Sequence, residues 1–153
     1  MVKLAVFADS HRAWAKLRVA LEQTRDCALV LHLGDHDTDM DDFRLNENRL
    51  LSVPGNCDPF SFAPPVRIFE REGVRVLMTH GDAYGVKYSL TRLSLKAREA
   101  GATLALYGHS HVQRADEDNG VILLNPGALK NGFYAVVTLD EGKIQWQMCH
   151  VND

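Results

Sequence analysis

Apolar residues fall in short runs along this chain, and the spacing within each run sorts it into strand or helix. Residues 3–8 form a continuous apolar run of strand length, and Trp14, Leu17 and Leu21 follow at helical spacing. Residues 28–33 and 50–53 read as two further buried strands, the second stopped by Pro54-Gly55. Between them an acidic segment from Asp41 to Glu47 reads as helical. Residues 66–71 and 74–79, separated by Glu72-Gly73, predict a hairpin. Leu90, Leu93, Ala97 and Ala100 share one helical face, and Gly101 stands where a C-terminal glycine cap belongs. Residues 103–107 are another buried strand. In the last third, residues 112–116 and 121–124 flank Asp118-Asn119-Gly120, whose Asn-Gly is a strong hairpin signal. Residues 133–139 and 143–149 flank Asp140-Glu141-Gly142 and predict a second hairpin. Strand–helix alternation followed by antiparallel hairpins predicts an α/β fold: a mixed sheet, or two sheets packed face to face with helices outside.

At 153 residues with 46% hydrophobic content the chain has material for a real core, and residues 1–153 are expected to form a single domain. Lys and Arg total 17 against 20 Asp and Glu, a net charge of −3, so no global basic field draws nucleic acid. Cys27, Cys57 and Cys149 are odd in number and lack motif spacing, which points to a reducing compartment. The first apolar run meets Asp9 too early for a signal peptide, and no run approaches the roughly 18 apolar residues of a membrane span. The expectation is a soluble, cytoplasmic chain without a membrane partner.

Six apolar runs end in short polar clusters rather than ordinary turns. These are Asp9-Ser10-His11, Gly34-Asp35, Gly55-Asn56-Cys57-Asp58, His80-Gly81-Asp82, Gly108-His109-Ser110-His111 and Asn125-Pro126-Gly127. Ligands of open α/β sheets bind outside the carboxyl ends of the strands, so the clusters can converge there. The convergent set is two carboxylates (Asp9, Asp35), four histidines (His11, His80, His109, His111) and the Asn56 amide. Such a set suits Mn²⁺, Fe or Zn²⁺; it has too much imidazole for Ca²⁺ and no thiolate cage. Seven side chains exceed the need of one ion and supply two if one carboxylate bridges them, with the ions roughly 3.5–4 Å apart.

The ordered motifs Asp-x-His, Gly-Asp, Gly-Asn-x-Asp, His-Gly, Gly-His-x-His and Asn-Pro-Gly resemble those of the calcineurin-like metallophosphoesterases. The short chain and the Gly-Asn-Cys-Asp variant look most like the small YfcE-type phosphodiesterase branch. The resemblance runs from Asp9 to Gly127. It implies a two-sheet β-sandwich flanked by helices, a four-layer αββα arrangement. It implies two divalent ions, Mn²⁺ first, with Fe, Ni or Zn²⁺ as the alternatives. By position, Asp9, His11 and His111 correspond to ligands of one ion and Asn56, His80 and His109 to ligands of the other, with Asp35 bridging. Asp35, Asn56 and His80 carry the catalytic assignments, the Asn56 amide offering an N–H to a phosphate oxygen. The implied activity is hydrolysis of small phosphodiesters by in-line attack of metal-bound hydroxide. Two rivals stand beside it: a protein-interaction scaffold of the same fold, like the retromer-subunit relatives, and a nuclease. A filled ligand set disfavours the scaffold, and the absence of a basic groove disfavours the nuclease. A homo-oligomer is compatible with the sequence.

This chain departs from the wider superfamily at Cys57, where a histidine usually follows the Asn and protonates the leaving group. It also has Ala128 where Ser commonly follows Asn-Pro-Gly. Cys57 reads as a small side chain filling space behind Asn56, and Arg12, Cys57 and Asp58 are the candidate substrate contacts. Phe60, Phe62, Pro64 and Pro65 form an apolar loop that suits a substrate wall, a packed loop or an oligomer contact equally. Lys130 and Asn131 are weaker candidates. His32, inside a strand run, reads as a hydrogen-bonded structural histidine, while His36 and His150 read as surface residues. Asp35 to Asp39 mimics an EF-hand start, but Met40 and Asn46 occupy positions that need Gly and Glu, so a calcium loop is excluded. Asp37, Asp39, Asp41 and Asp42 read as a solvated helix start. Cys27 and Cys149 read as small buried apolar residues.

Overall fold

The computed structural model describes residues 1–43, 45 and 48–153. Strand β1 (Val2–Phe7) pairs in parallel with β2 (Leu29–His32), which pairs in parallel with β3 (Leu50–Ser52). On its other edge β1 meets β9 (Phe133–Asp140) antiparallel, and β9 forms a hairpin with β10 (Lys143–His150). The first sheet therefore runs β10-β9-β1-β2-β3. The second contains β4 (Val66–Arg71), β5 (Val74–Thr79), β6 (Leu104–Leu106), β7 (Arg114–Asp118) and β8 (Val121–Asn125) in the order β4-β5-β6-β8-β7. Its central strands β5, β6 and β8 are parallel, and its edges are antiparallel.

The continuous apolar runs exist because most of these strands are covered on both faces. Along β1, Leu4 and Val6 join a core shared with Val76, Met78, Leu104 and Leu106 of the second sheet, so the sheets pack face to face. Ala5 and Phe7 point the other way and pack with Leu17 and Ala20 of helix α1 (Trp14–Gln23). Leu77, Ala105 and Leu123 of the second sheet cover Leu93 and Ala97 of helix α2 (Thr91–Glu99). The expected helix–sheet–sheet–helix layering is what these three clusters describe.

The cap of α2 follows the sequence signal. Gly101 takes φ +73, and the Gly101 and Ala102 N–H groups donate to the Arg98 and Ala97 carbonyls. That pair of bonds needs a left-handed residue, the conformation glycine adopts without a side-chain penalty.

Trp14, Leu17 and Leu21 lie in helix α1 as their spacing predicts, with Leu17 buried and Trp14 about half exposed. Several expectations are corrected. The acidic segment forms a short 3-10 helix that begins at Asp37, earlier than expected, and runs to Phe43; of the remainder of the expected helix, Arg44, Asn46 and Glu47 lie outside the described residues. Asp37 and Asp39 are buried, not solvated, because each accepts a side-chain hydrogen bond, from Ser61 and Ser10 respectively. Strand β7 starts at Arg114 because the Gln113 Nε2 turns to the Pro126, Tyr134 and Cys149 carbonyls, tying both sheets together there. Cys27 is buried as expected, whereas Cys149 is only half-buried. Among the described residues, no helix is long and apolar enough to cross a membrane.

Candidate metal centre

The parallel strands β1, β2 and β3 of one sheet and β5, β6 and β8 of the other are each followed by one of the six polar clusters. The backbone beyond them is unusual. Asp9, His11, Arg12, Asp35, His36, His109 and His111 all take positive φ; the other described non-glycine residues with positive φ, Glu72, Asn119 and Glu141, sit in hairpin turns. Left-handed backbone at so many side-chain-bearing positions costs free energy and persists only where surrounding contacts over-determine it. Close approach adds to the constraint at Gly34 (φ +99), where an added Cβ would stand 2.6 Å from the Gly55 nitrogen and 2.9 Å from His80 Nδ1.

These loops bring all seven sequence-selected side chains together in two adjoining groups. In the first, ligand atoms of Asp9, His11, Asp35 and His111 lie within 4.8 Å of one another. His111 Nε2 is 3.3 Å from Asp9 Oδ1, and His11 Nε2 is 3.6 Å from Asp35 Oδ2. In the second, His80 Nε2 lies 3.0 Å from Asn56 Oδ1 and 3.2 Å from His109 Nδ1. Asp35 touches both, since its Oδ2 is also 3.5 Å from His80 Nε2.

The donor chemistry fits cations. His80 Nδ1 stands 2.8 Å from the Leu33 carbonyl, which only accepts, so Nδ1 carries the proton. On its other side His80 Nε2 meets both the Asn56 oxygen and His109 Nδ1, so three potential ligand atoms converge there. Asp9 Oδ1 and His11 Nε2 are buried without a hydrogen-bond partner among the described residues. Buried polar atoms are ordinarily satisfied, so a cluster of unsatisfied electron pairs is the signature of a cation site.

Electrostatics agree. Burial, and then the charge of Asp35, push the Asp9 carboxyl up to about 8. Burial also acts to raise Asp35, but the Cys57 N–H bond and the His80 and His11 imidazoles outweigh it and lower its carboxyl. Burial lowers His11 and His109, and lowers His111 to about 4, leaving them as neutral imidazoles with electron pairs to give.

A supporting layer holds these groups. The Gly34 N–H donates to His32 Nδ1, so His32 Nε2 carries the proton and reaches Ser10 Oγ at 2.9 Å. Ser10 Oγ donates to Asp39 Oδ2 (2.7 Å), which also accepts the Arg12 N–H (2.8 Å). His32 is thus the structural histidine expected, and burial depresses it to about 4. Asp58 receives the His36 and Gly55 N–H groups, one on each oxygen, and so ties the Asp35 and Asn56 loops together. Asn125 donates to the Gly108 carbonyl and to Ser110 Oγ while accepting the Gly127 N–H, bracing the His109–His111 turn from a buried position. Asp39 and His36 escaped the sequence reading: Asp39 hides in an acidic run, and no local pattern marks its partner Ser10. His36 is not a plain surface residue, since its ring packs 5.0 Å from that of His11. His150 is half-buried, with Nε2 2.9 Å from the Asn131 carbonyl. Cys57 is exposed, not packed behind Asn56. Arg12 is exposed beside the centre, and Lys130 lies close enough for its charge to act on Asp9, His11 and His111.

Comparison with known proteins gives a consistent result. A probable metallophosphoesterase of Methanothermobacter thermautotrophicus is 35% identical over 137 residues, spanning 82% of this chain and 76% of that one. The probable metallophosphoesterase YsnB of Bacillus subtilis is 26% identical over 146 residues, spanning 91% and 85%. Among solved structures, a conserved uncharacterized protein of Streptococcus pneumoniae, described as a predicted phosphoesterase, superposes with a TM-score of 0.82 at 22% identity, covering 99% of this chain and 90% of that one. An archaeal phosphodiesterase gives 0.77 at 17% identity, covering 97% and 100%. Wild-type Vps29 of Entamoeba histolytica complexed with Zn²⁺ gives 0.73 at 15% identity, covering 99% and 100%. The calcineurin-like phosphoesterase superfamily domain matches residues 2–142, and with the paired sheets and their rim of carboxylate, imidazole and amide groups this chain belongs to that superfamily.

Proposed function

We propose that the protein is a phosphodiesterase that works with two divalent cations, Mn²⁺ first among them. The observation that supports it is a pair of buried atoms without a hydrogen-bond partner among the described residues, Asp9 Oδ1 and His11 Nε2, beside a second group in which His80 Nε2 lies 3.0 Å from Asn56 Oδ1 and 3.2 Å from His109 Nδ1. Asp9, His11 and His111 would hold one ion and Asn56, His80 and His109 the other, with Asp35 between them. Bound there, such a pair activates water as the nucleophile and neutralises charge developing on phosphorus. The chain's own groups do the rest. The Leu33 carbonyl and the Asp9–His109 N–H bond fix the His80 and His109 loops before substrate arrives. Lys130 and Lys87, whose charges act on His111, supply two cations near the site for an anionic diester. The Asn56 amide donates only to the weak acceptor Cys57 Sγ, at 3.7 Å, and could exchange that bond for one to a phosphate oxygen.

The test is turnover of bis(p-nitrophenyl) phosphate and p-nitrophenyl phosphate by metal-free protein and after addition of Mn²⁺, Zn²⁺ or Mg²⁺. Chelation removes activity, Mn²⁺ restores it, and the diester is preferred over the monoester by about tenfold or more. Full turnover by the stripped protein, or preference for the monoester, overturns the assignment. Metal binding alone does not separate an enzyme from a scaffold, since a Vps29 of this fold binds Zn²⁺; turnover does.

Cys57 is not needed as the acid. Burial and the neighbouring Asp35 raise its thiol above the ordinary range, which makes it a poorer proton donor at neutral pH. Cys57→Ala is therefore expected to keep aryl-diester turnover to within about tenfold, whereas loss of a working general acid costs about 10²–10⁴-fold. Collapse of kcat in that variant would make the thiol the acid.

A further inference from the structure

A hollow of about 230 Å³ opens beside the candidate metal centre, with Arg12, His36, Thr38, Asp58, Pro59 and Phe60 in its wall. Its place is set by the chain: Arg12 follows His11, and His36 follows Asp35, so the wall continues directly from the candidate ligands. The volume lies below the roughly 300–1,000 Å³ of sites that enclose a whole ligand, and suits one ring of a larger molecule whose remainder sits elsewhere.

Two side chains in this wall have no structural employment. The Phe60 ring is 90% exposed although it lines both this hollow and a second one of about 370 Å³. Loop residues that only pack turn such a ring inward; here Pro59 on one side and Pro64-Pro65 on the other stiffen a loop that holds it out. The Arg12 side chain has no hydrogen bond or ion pair among the described residues. None of the acidic groups around it pairs with the guanidinium: Asp37 Oδ2 accepts from Ser61 while its Oδ1 is buried without a partner among the described residues, Asp39 accepts from Ser10 and the Arg12 N–H, and Asp58 from two backbone N–H groups. An unpaired guanidinium and an unpacked aromatic face thus flank one small hollow at the edge of a site for anions.

We propose that this hollow is a subsite for a planar aromatic ring, an aryl group or a nucleobase, on one ester arm of the substrate. Phe60 stacks on the ring, and Arg12 binds an oxygen of the phosphodiester that carries it. This rests on the phosphodiesterase reading and adds the substrate class.

The experiment is calorimetric binding to the Mn²⁺-loaded full chain of two matched pairs, phenylphosphonate against methylphosphonate and thymidine 5′-monophosphate against deoxyribose 5-phosphate. At least one ring-bearing member binds about tenfold more tightly than its partner, the scale of one base–aromatic stack. Which pair shows the advantage tells an aryl arm from a nucleobase. Phe60→Ala removes the advantage, and Phe60→Tyr retains it; the ring is exposed, so neither change disturbs the core. Arg12→Gln weakens both members of a pair alike, and Arg12→Lys restores part of the loss. Equal affinities within both pairs in the wild type, or an advantage that survives Phe60→Ala, overturn the proposal. It is also overturned if Phe60→Ala dissociates an oligomer and leaves the ratios unchanged, which would make the loop a contact between copies. Because binding is read without turnover, a protein that holds methylphosphonate through Mn²⁺ but hydrolyses no diester refutes the enzyme assignment and leaves the subsite standing.

Discussion

Asp35→Ala lowers kcat/KM for an aryl phosphodiester by about 10³-fold or more, a deeper loss than removal of His11, His109 or His111 alone. The reason is its position between the two groups. One carboxylate oxygen lies 3.6 Å from His11 Nε2 and 3.5 Å from His80 Nε2, so it is the side chain both halves share. The other oxygen accepts the Cys57 N–H at 2.9 Å and holds the loop that carries Asn56. In the proposed two-cation site, alanine would therefore remove the anion between the ions and release the loop that carries Asn56 at once. A terminal histidine removes one neutral donor from one ion, which leaves the partner ion and the charge balance in place.

The measurement pairs steady-state rates with metal content. The wild type is expected to hold two ions per chain and Asp35→Ala one or fewer, with a melting curve confirming that the variant is folded. Asp35→Asn separates shape from charge: it keeps an oxygen toward the site but not the negative charge, and should recover little activity. Wild-type kcat/KM in Asp35→Ala, or two tightly held ions in its absence, sinks the shared-ligand assignment.

The parts of this molecule legible in its sequence are those decided by local chemistry. Strand β1 could be found because Leu4 and Val6 face one core and Ala5 and Phe7 another, so the four positions from Leu4 to Phe7 had to be apolar. The α2 cap was visible because a left-handed residue is needed where Gly101 stands. The seven side chains brought together at the strand ends were visible because parallel strands deliver their carboxyl ends to one edge, and polar clusters there have few structural uses. What supports them was hidden. Ser10 and Asp39 are bonded across 29 positions, and nothing beside either residue announces the other. Asp37 and Asp39 looked like part of a solvated run because burial is a property of the assembled loops, not of the acidic stretch. Cys57 looked like filler for the same reason: whether a small side chain packs or stands free at a loop tip is decided by neighbours distant in sequence.

Saturating Mn²⁺ is expected to raise the melting temperature of the metal-free protein by about 8–16 °C at alkaline pH. One site occupied at a thousandfold excess over its Kd stabilises by about 4 kcal/mol, and a domain of this size shifts by about 2–4 °C per kcal/mol. The pH dependence carries the sharper test, because the centre pulls in two directions without metal. Asp9 is raised in the folded chain from 3.8 to about 8. Between those values the unfolded chain has released a proton that the folded chain keeps, so stability falls as pH rises through that window. His32 and His111 are lowered from 6.5 to about 4, and His11 and His109 are also lowered. Below 6.5 the unfolded chain gains protons that the folded chain refuses, so stability falls as pH drops from 6.5 toward 4. Several histidines outweigh one carboxyl on the acid side, while above 6.5 Asp9 carries the loss, and the raised N-terminal amine adds to it in the same direction near pH 8. The metal-free protein should therefore be most stable near pH 6.5 and lose stability toward both pH 5 and pH 8. A cation reverses the Asp9 penalty, since the ionised carboxylate becomes its ligand, and the alkaline limb flattens. The acid limb steepens, since protons then compete with metal for the imidazoles. Thermal melts in chelator and in Mn²⁺ at pH 5, 6.5 and 8 read all three effects. The largest metal-induced shift belongs at pH 8 and the smallest at pH 5; equal shifts at all three would mean that the ion binds away from Asp9 and the histidines.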